Sequence, residues 1–293
     1  MSIATFREAQ SNRLGIALMC LTMLVFATQD ALSKHLVSRY DVFVVTAIRY
    51  WFMALLATML AARHMGGLRA TVRSARPALQ IGRGLLLASQ ICVMVTAFVL
   101  LGLIETHAIF ASAPLLVTAL AGPLLGEKLG WDRWAAVVIG FLGVLVILQP
   151  GFGVFRPAAL IAVVACVVFA SYVLLTRVVA RFDDAATSFF WTGVVGLVVL
   201  TPIGLWRWEW MTPLDGALMA LLCVLSGTGH FLLIRVYAVS EANAVQPFTY
   251  LQLVFATVIA VTVLGETLAP NVAIGAAIVV SAGLFSLWRQ SLG

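Results

Sequence analysis

The chain has 293 residues, of which 62% are hydrophobic and 10% charged, whereas soluble domains carry about 25% charged residues. A net charge of +6 would suit nucleic acid, but the basic residues do not cluster with interleaved aromatics as a recognition surface does, so no nucleic-acid partner is expected. What remains is a lipid bilayer, whose ~30 Å core takes ~20 apolar residues of helix to cross.

The opening stretch MSIATFREAQSNR is polar, and the apolar run behind it has no small-residue cleavage pattern, so the first span is expected to stay uncleaved. Charges and turn residues divide the chain into apolar segments at 14–37, 42–62, 78–101, 103–125, 133–149, 157–176, 186–206, 214–235, 242–264 and 271–288. The alternation of an outer-membrane barrel is absent. The expectation is an all-α polytopic membrane protein of ten transmembrane helices.

Ionisable and aromatic residues inside spans are costly or specific enough to count as site candidates. The first segment ends in FATQDALSKHL (26–36), which places Gln29, Asp30 and Lys34 near its end. Arg49, followed by Tyr50, is the charge set deepest among apolar residues of the second segment. Asp30, at similar depth, is its expected counter-ion; a structural pair is the plain reading and recognition of a substrate carboxylate the sharper one. In the third segment Arg83, Leu87, Gln90 and Met94 share a face; Gln90 is favoured to meet a cavity, while Arg83, nearer the end, is free to snorkel.

His107 in the fourth segment and His230 in the eighth suit proton relay or carboxylate binding. Neither has an acidic partner at helical spacing, so hydrogen-bonded packing competes. Tyr50, Trp51, Tyr172 and Trp191 would stack on an apolar substrate or simply pack. In the ninth segment Asn243, Gln246 and Tyr250 fall on one helical face and Pro247 invites a bend. They are the best candidates for a polar and aromatic wall, with interhelical hydrogen bonds of ~1 kcal/mol as the alternative. Small residues in the fifth and tenth segments, Ala136 and Gly140, then Ala273, Ala277 and Ser281, allow close helix contact. These faces are expected to pack two halves together; a monomer is expected, though they would permit a dimer.

Orientation follows from Lys and Arg, which gather on the cytoplasmic side. With the N-terminus inside, that side receives twelve of them, including those of ARHMGGLRATVRSARP, against Arg39, Arg156 and Arg207 outside. Both termini are therefore expected in the cytoplasm, and the basic charge reads as a topology signal. Cys20, Cys92, Cys166 and Cys223 stand singly in apolar runs, which indicates neither disulfides nor a metal site. No phosphate-binding loop occurs, and no cofactor is expected.

The chain also repeats itself. LLGEKL (124–129) returns as VLGETL (263–268), and FATQDALSKHL returns as FASYVLLTRVV (169–179), with Lys34 matched by Arg177. Two units follow, 1–150 and 151–293. Five spans each would insert the second unit inverted, placing a substrate near the midplane between halves.

With this double LGE signature, the first-span end DALSKHL, and the segments ASAPLLVTALAGPLLGEKL and YLQLVFATVIAVTVLGETL, nearly the whole chain resembles the EamA branch of the drug/metabolite transporter superfamily. One departure is the proline before the signature, present as Pro114 in the first half but replaced by Leu253 in the second, where Pro247 comes earlier. The resemblance implies an inner-membrane exporter of small metabolites, and is nearest to aromatic amino acid exporters. It also implies alternating access around a central cavity and no ATP hydrolysis. A multidrug exporter of the same fold is the nearest alternative. An intramembrane enzyme would need a nucleophile and base or metal ligands within reach, which the spacing does not offer. A passive pore would not need inverted halves. By symmetry with Arg177, Lys34 is expected as an anchor with its amine in water.

Overall fold

Inside hydrocarbon a backbone must satisfy its own N–H and C=O groups, and the chain does this with helices. A computed structural model describes residues 3–63, 67–125, 130–149, 157–240 and 245–290, with no strand among them. In order these are α1 (Ile3–Val37), α2 (Val42–Arg63), a short α3 (Gly67–Val72), α4 (Pro77–Leu100), α5 (Leu103–Phe110), α6 (Ala113–Leu125) and α7 (Trp131–Leu148). The second part holds α8 (Ala159–Val179), α9 (Ala185–Trp206), α10 (Pro213–Val239), a 3₁₀ turn (Gln246–Tyr250), α11 (Leu251–Thr262) and α12 (Pro270–Gln290). Among the described residues, eight stretches, with α5 and α6 taken as one, are long and apolar enough to cross a membrane; Trp134–Leu148 and Gln246–Thr262 are shorter apolar helices.

Two of the expected spans are not continuous α-helix, for a stated chemical reason. Pro114 has no N–H and its ring clashes with the carbonyl four residues back, so the fourth span breaks into α5 and α6. The break is closed by the Ser112 hydroxyl, which donates to Ile109 O at 2.7 Å. Pro247 does the same at the start of the ninth span, where Gln246–Tyr250 is 3₁₀ before α11 begins. The α-helical face expected for Asn243, Gln246 and Tyr250 is therefore not formed as such, and Asn243 lies outside the described residues.

The closest helix pairs are α7 with α12, α1 with α10, α2 with α9 and α4 with α8; α1 also packs on α11, and α6 on α8. α7 and α12 pair as expected, and Ala136 and Gly140 face the contact, but the α12 face that meets them is Gly275, Val279 and Ala282; Ala277 and Ser281 are exposed, a rotation of the helix that spacing alone does not fix. A Cβ at Gly143 would come 3.0 Å from Gly275 O, and one at Gly275 would come 2.6 Å from Gly143 O, so the two backbones touch. The main core joins α4, α5, α8, α11 and α12 through Phe98, Leu103, Ile109, Cys166, Ala256 and Val279.

Candidate functional site

Beside the two broken spans lies a cavity of ≈280 Å³. Phe26 and Met23 of α1, Phe110 of α5, Pro114 of α6 and Phe169 of α8 form apolar walls, and Gln246, Thr249, Tyr250 and Gln252 come from the interrupted ninth span. Leu233 of α10 and Leu287 of α12 line it toward the ends of their helices that carry Arg235 and Arg289. Gln246 and Tyr250 thus reach the cavity, although through a 3₁₀ turn rather than an α-helical stripe. Gly283 of α12 leaves room for the Tyr250 hydroxyl, which a Cβ at that position would overlap. Gln252, Phe110 and Phe169 were not singled out in the sequence; their apolar neighbours give them no distinguishing spacing.

His107 also lines the cavity and stacks on Phe98 with ring centroids 5.2 Å apart. Its partner is an acid after all: Nε2 lies 3.2 Å from Asp30 Oδ2. That approach is off the line of a hydrogen bond, so Nε2 is buried without one. Gln252 donates to Asp30 Oδ2 at 2.9 Å and Gln29 approaches Oδ1 at 3.5 Å. Helical spacing could not reveal this pair because it forms between α1 and α5.

The expected Asp30–Arg49 ion pair is not made. Arg49 donates instead to the hydroxyls of Ser33 at 3.4 Å and Ser226 at 3.3 Å. Ser226 donates in turn to Gln29 Oε1 at 2.8 Å, so the hydrogen-bonded link between Asp30 and Arg49 runs through Gln29 and Ser226. His230 sits edge-on to Phe26, 5.7 Å between centroids, and borders a small pocket of ≈30 Å³ with Arg49 and Ser226.

Other candidates serve packing. Tyr50 is 1% exposed and its ring fills the space above Gly196, where a Cβ would overlap it. Trp191 donates to Val72 O at 3.2 Å, tying α9 to α3. Gln90 is buried and lines neither the ≈280 Å³ cavity nor the small Arg49 pocket. Arg83 does not snorkel: at 3% exposure it donates to Gln80 Oε1 at 3.2 Å, Tyr172 Oη at 3.3 Å, Ser188 O and the Thr192 hydroxyl. Tyr172 is thus engaged by a buried guanidinium. The cluster continues outside the spans to Asp183. Burial works to raise that carboxyl, but hydrogen bonds from Ser74, Ala75 N–H and Gln80 outweigh it and hold Asp183 below the usual carboxylate range.

Lys34 is likewise not a free anchor. Its amine pairs with Glu266, whose carboxylate also accepts the Leu103 and Ile104 N–H groups at 2.8 and 3.0 Å. Those amides are orphan donors at the start of α5. Gly265, at φ +69°, turns the chain so that Glu266 points back, and Gly102, at φ +107°, would carry a Cβ only 3.2 Å from Oε2. Burial pushes the Glu266 carboxyl up, yet the amides and Lys34 together hold it below its ordinary value. The second LGE is thus a tie between α1, α5 and the end of α11. The first, with Glu127, lies outside the described residues.

No group of three or more His, Cys, Asp or Glu side chains among the described residues is placed to hold a metal. The family model of EamA-like transporters matches residues 13–149 and again residues 156–288. The chain belongs to this EamA-like transporter family. A relative in Rickettsia felis, an S-adenosylmethionine uptake transporter, is 28% identical over 94% of this chain and 93% of its own. The corresponding protein of Rickettsia prowazekii is 26% identical over the same shares. A riboflavin transporter of Vibrio cholerae is 30% identical over 62% of each chain. A crystal structure superposes with a TM-score of 0.63 over 94% of this EamA chain and 98% of that one, at 19% identity, and shares its fold. The protein is therefore a multi-pass membrane transporter of small molecules, not an enzyme. The relatives' names do not point to aromatic amino acid export.

Proposed function

We propose that this EamA-family protein carries a small amphipathic metabolite, one that joins a flat ring to a polar head, by alternating access around the ≈280 Å³ cavity. The observation that carries the reading is the position of that cavity between the two Pro-interrupted spans. Broken helices in corresponding places of two halves are where transporters hold substrate. Phe26, Phe110 and Phe169 supply ring contacts, while Gln246, Gln252 and His107 supply polar ones, with Asp30 next to the last two. S-adenosylmethionine and riboflavin, the cargoes in the relatives' names, both join a heteroaromatic ring to a polar chain. Neither name supports the amino-acid substrate expected from the sequence.

The two units, 1–150 and 151–293, act as inverted halves in this reading. The helix pairing supports it: α1 on α10 answers α8 on α4, and α1 on α11 answers α8 on α6, while α2–α9 and α7–α12 each pair an element with its own counterpart. Such a pattern is unchanged when the halves are exchanged. With the arginine-rich end in the cytoplasm of an inner membrane, the cavity reaches toward that side and the Lys34–Glu266 tie closes the other.

Proteoliposomes holding purified protein test this with labelled S-adenosylmethionine, riboflavin and tryptophan. Saturable uptake of at least one is expected, and Tyr250→Ala or Gln246→Ala should lower it severalfold at unchanged folded yield. Absence of saturable flux for every compound would overturn the reading.

A further inference from the structure

The Asp30 carboxylate is poorly filled for its depth. It is 14% exposed, takes one good hydrogen bond from Gln252 at 2.9 Å, and has only a 3.5 Å approach from Gln29 on its other oxygen. An ionised carboxylate has about four acceptor positions, and a buried charge short of partners is costly. The cations nearby do not fill its acceptor positions, since Arg49 acts on Asp30 only through space while donating to Ser33 and Ser226, and Lys34 donates to Glu266. Next to it His107, 4% exposed, holds Nε2 3.2 Å from Oδ2 and out of line for a hydrogen bond. A carboxylate short of donors, beside an imidazole nitrogen with no hydrogen bond of its own, would be completed by a group that carries several N–H donors and a positive charge. Both His107 and Gln252 form part of the cavity wall, so such a group arriving through the cavity meets them directly.

Building on the transport reading of that cavity, we infer that Asp30 and His107 form the recognition site for a protonated amine on the substrate. The ammonium donates to Asp30 and to His107 Nε2, and the ring it is attached to lies against Phe26, Phe110 and Phe169. A compact –NH₃⁺ offers three donors and suits this gap. A carboxylate head would meet Asp30 charge to charge, and a neutral head would leave it uncompensated. Asp30 is then the specificity residue for charge, and the phenylalanines that for shape.

Three indoles that share a ring and differ in head group test this: tryptamine, tryptophol and indole-3-propionate. Their binding to the purified full-length chain in detergent at neutral pH is measured by titration calorimetry. Tryptamine is expected to bind about tenfold tighter than tryptophol, the worth of one charge-assisted hydrogen bond, and indole-3-propionate weakest of all. In Asp30→Asn the preference for tryptamine should vanish while tryptophol binds as before. Should Asp30→Asn elute as aggregate, His107→Phe keeps the stack on Phe98 and should weaken tryptamine severalfold. Equal binding of the three indoles, tightest binding by the acid, or a tryptamine preference surviving in Asp30→Asn overturns the inference. If tryptamine fails to bind while the reconstituted protein still takes up another ring compound, the inference falls and the transport reading stands.

Discussion

Two clusters of buried charge divide the interior of this transporter, one around Arg83 and one around Asp30, and they are finished to different degrees. The Arg83 guanidinium meets Gln80, Tyr172, Ser188 and Thr192, joining α4 to α8 and α9. Asp30 has one short hydrogen bond and an imidazole beside it that makes none. Both charges cost free energy to desolvate, but only the first has that cost offset by protein groups already in place. A completed cluster holds helices together. An incomplete one beside a cavity is a place for something to bind, so satisfaction of hydrogen bonds separates structural from functional charge better than depth in the span does.

The sharpest way to break this contrast is Arg83→Ala. It strands several buried acceptors at once and should lower stability by about 3 kcal/mol, read as a fall in the thermal midpoint in detergent. Asp30→Asn should do the opposite of what its depth suggests: it removes an under-compensated charge while keeping an acceptor for Gln252, so the midpoint should stay within about 1 kcal/mol of the original. A large fall in the second variant and none in the first would invert the assignment.

Glu266 lies between these extremes, because it is fully partnered yet near the end of the bundle, with 16% of its side chain exposed. Glu266→Ala leaves two α5 amides without an acceptor and should cost about 1 kcal/mol, as loss of a helix cap does. Its carboxyl is held below the ordinary 4.5. The tie therefore contributes above that value and is lost as pH falls through the lower folded one. Acidification should depress the thermal midpoint of the native protein more than that of Glu266→Gln. The smallest effect belongs to Trp191→Phe, which gives up a single hydrogen bond to Val72 O, about 0.5 kcal/mol. Uptake should be unchanged, since Trp191 does not line the cavity.

Much of the helical framework was legible because hydrocarbon forces it: every apolar run of the right length must be a helix. That α7 and α12 pack together was also legible from their small residues, but the α12 surface used was not: Gly275 and Ala282 face α7, whereas Ala277 and Ser281 are exposed. Pro247 announced irregular backbone in the ninth span, whereas the break at Pro114 in the fourth was not foreseen; Gln246 and Tyr250 do reach the cavity. Pairings between polar side chains on different helices were not legible. Depth along a span suggested Asp30 for Arg49, whereas rotation about the helix axis decides contact, and it turns Asp30 toward His107 and Gln252. Lys34 and Arg83 were misread as solvent-seeking for the same reason: position near a span end says nothing about an acceptor waiting on a neighbouring helix. The work of the second LGE was not legible either, since it reads as a local motif but its glutamate accepts from the Leu103 N–H, 163 residues away in the chain.

The sequence by itself determined that this protein lives in a membrane and which stretches become helices, because those outcomes depend on local hydrophobicity and backbone chemistry; proline alone did not fix the breaks, since α9 runs unbroken through Pro202. Only the tertiary structure decided which charges are completed and which are left open. That depends on how neighbouring helices are rotated and offset, a property of packed surfaces several helices apart in the chain rather than of any single segment.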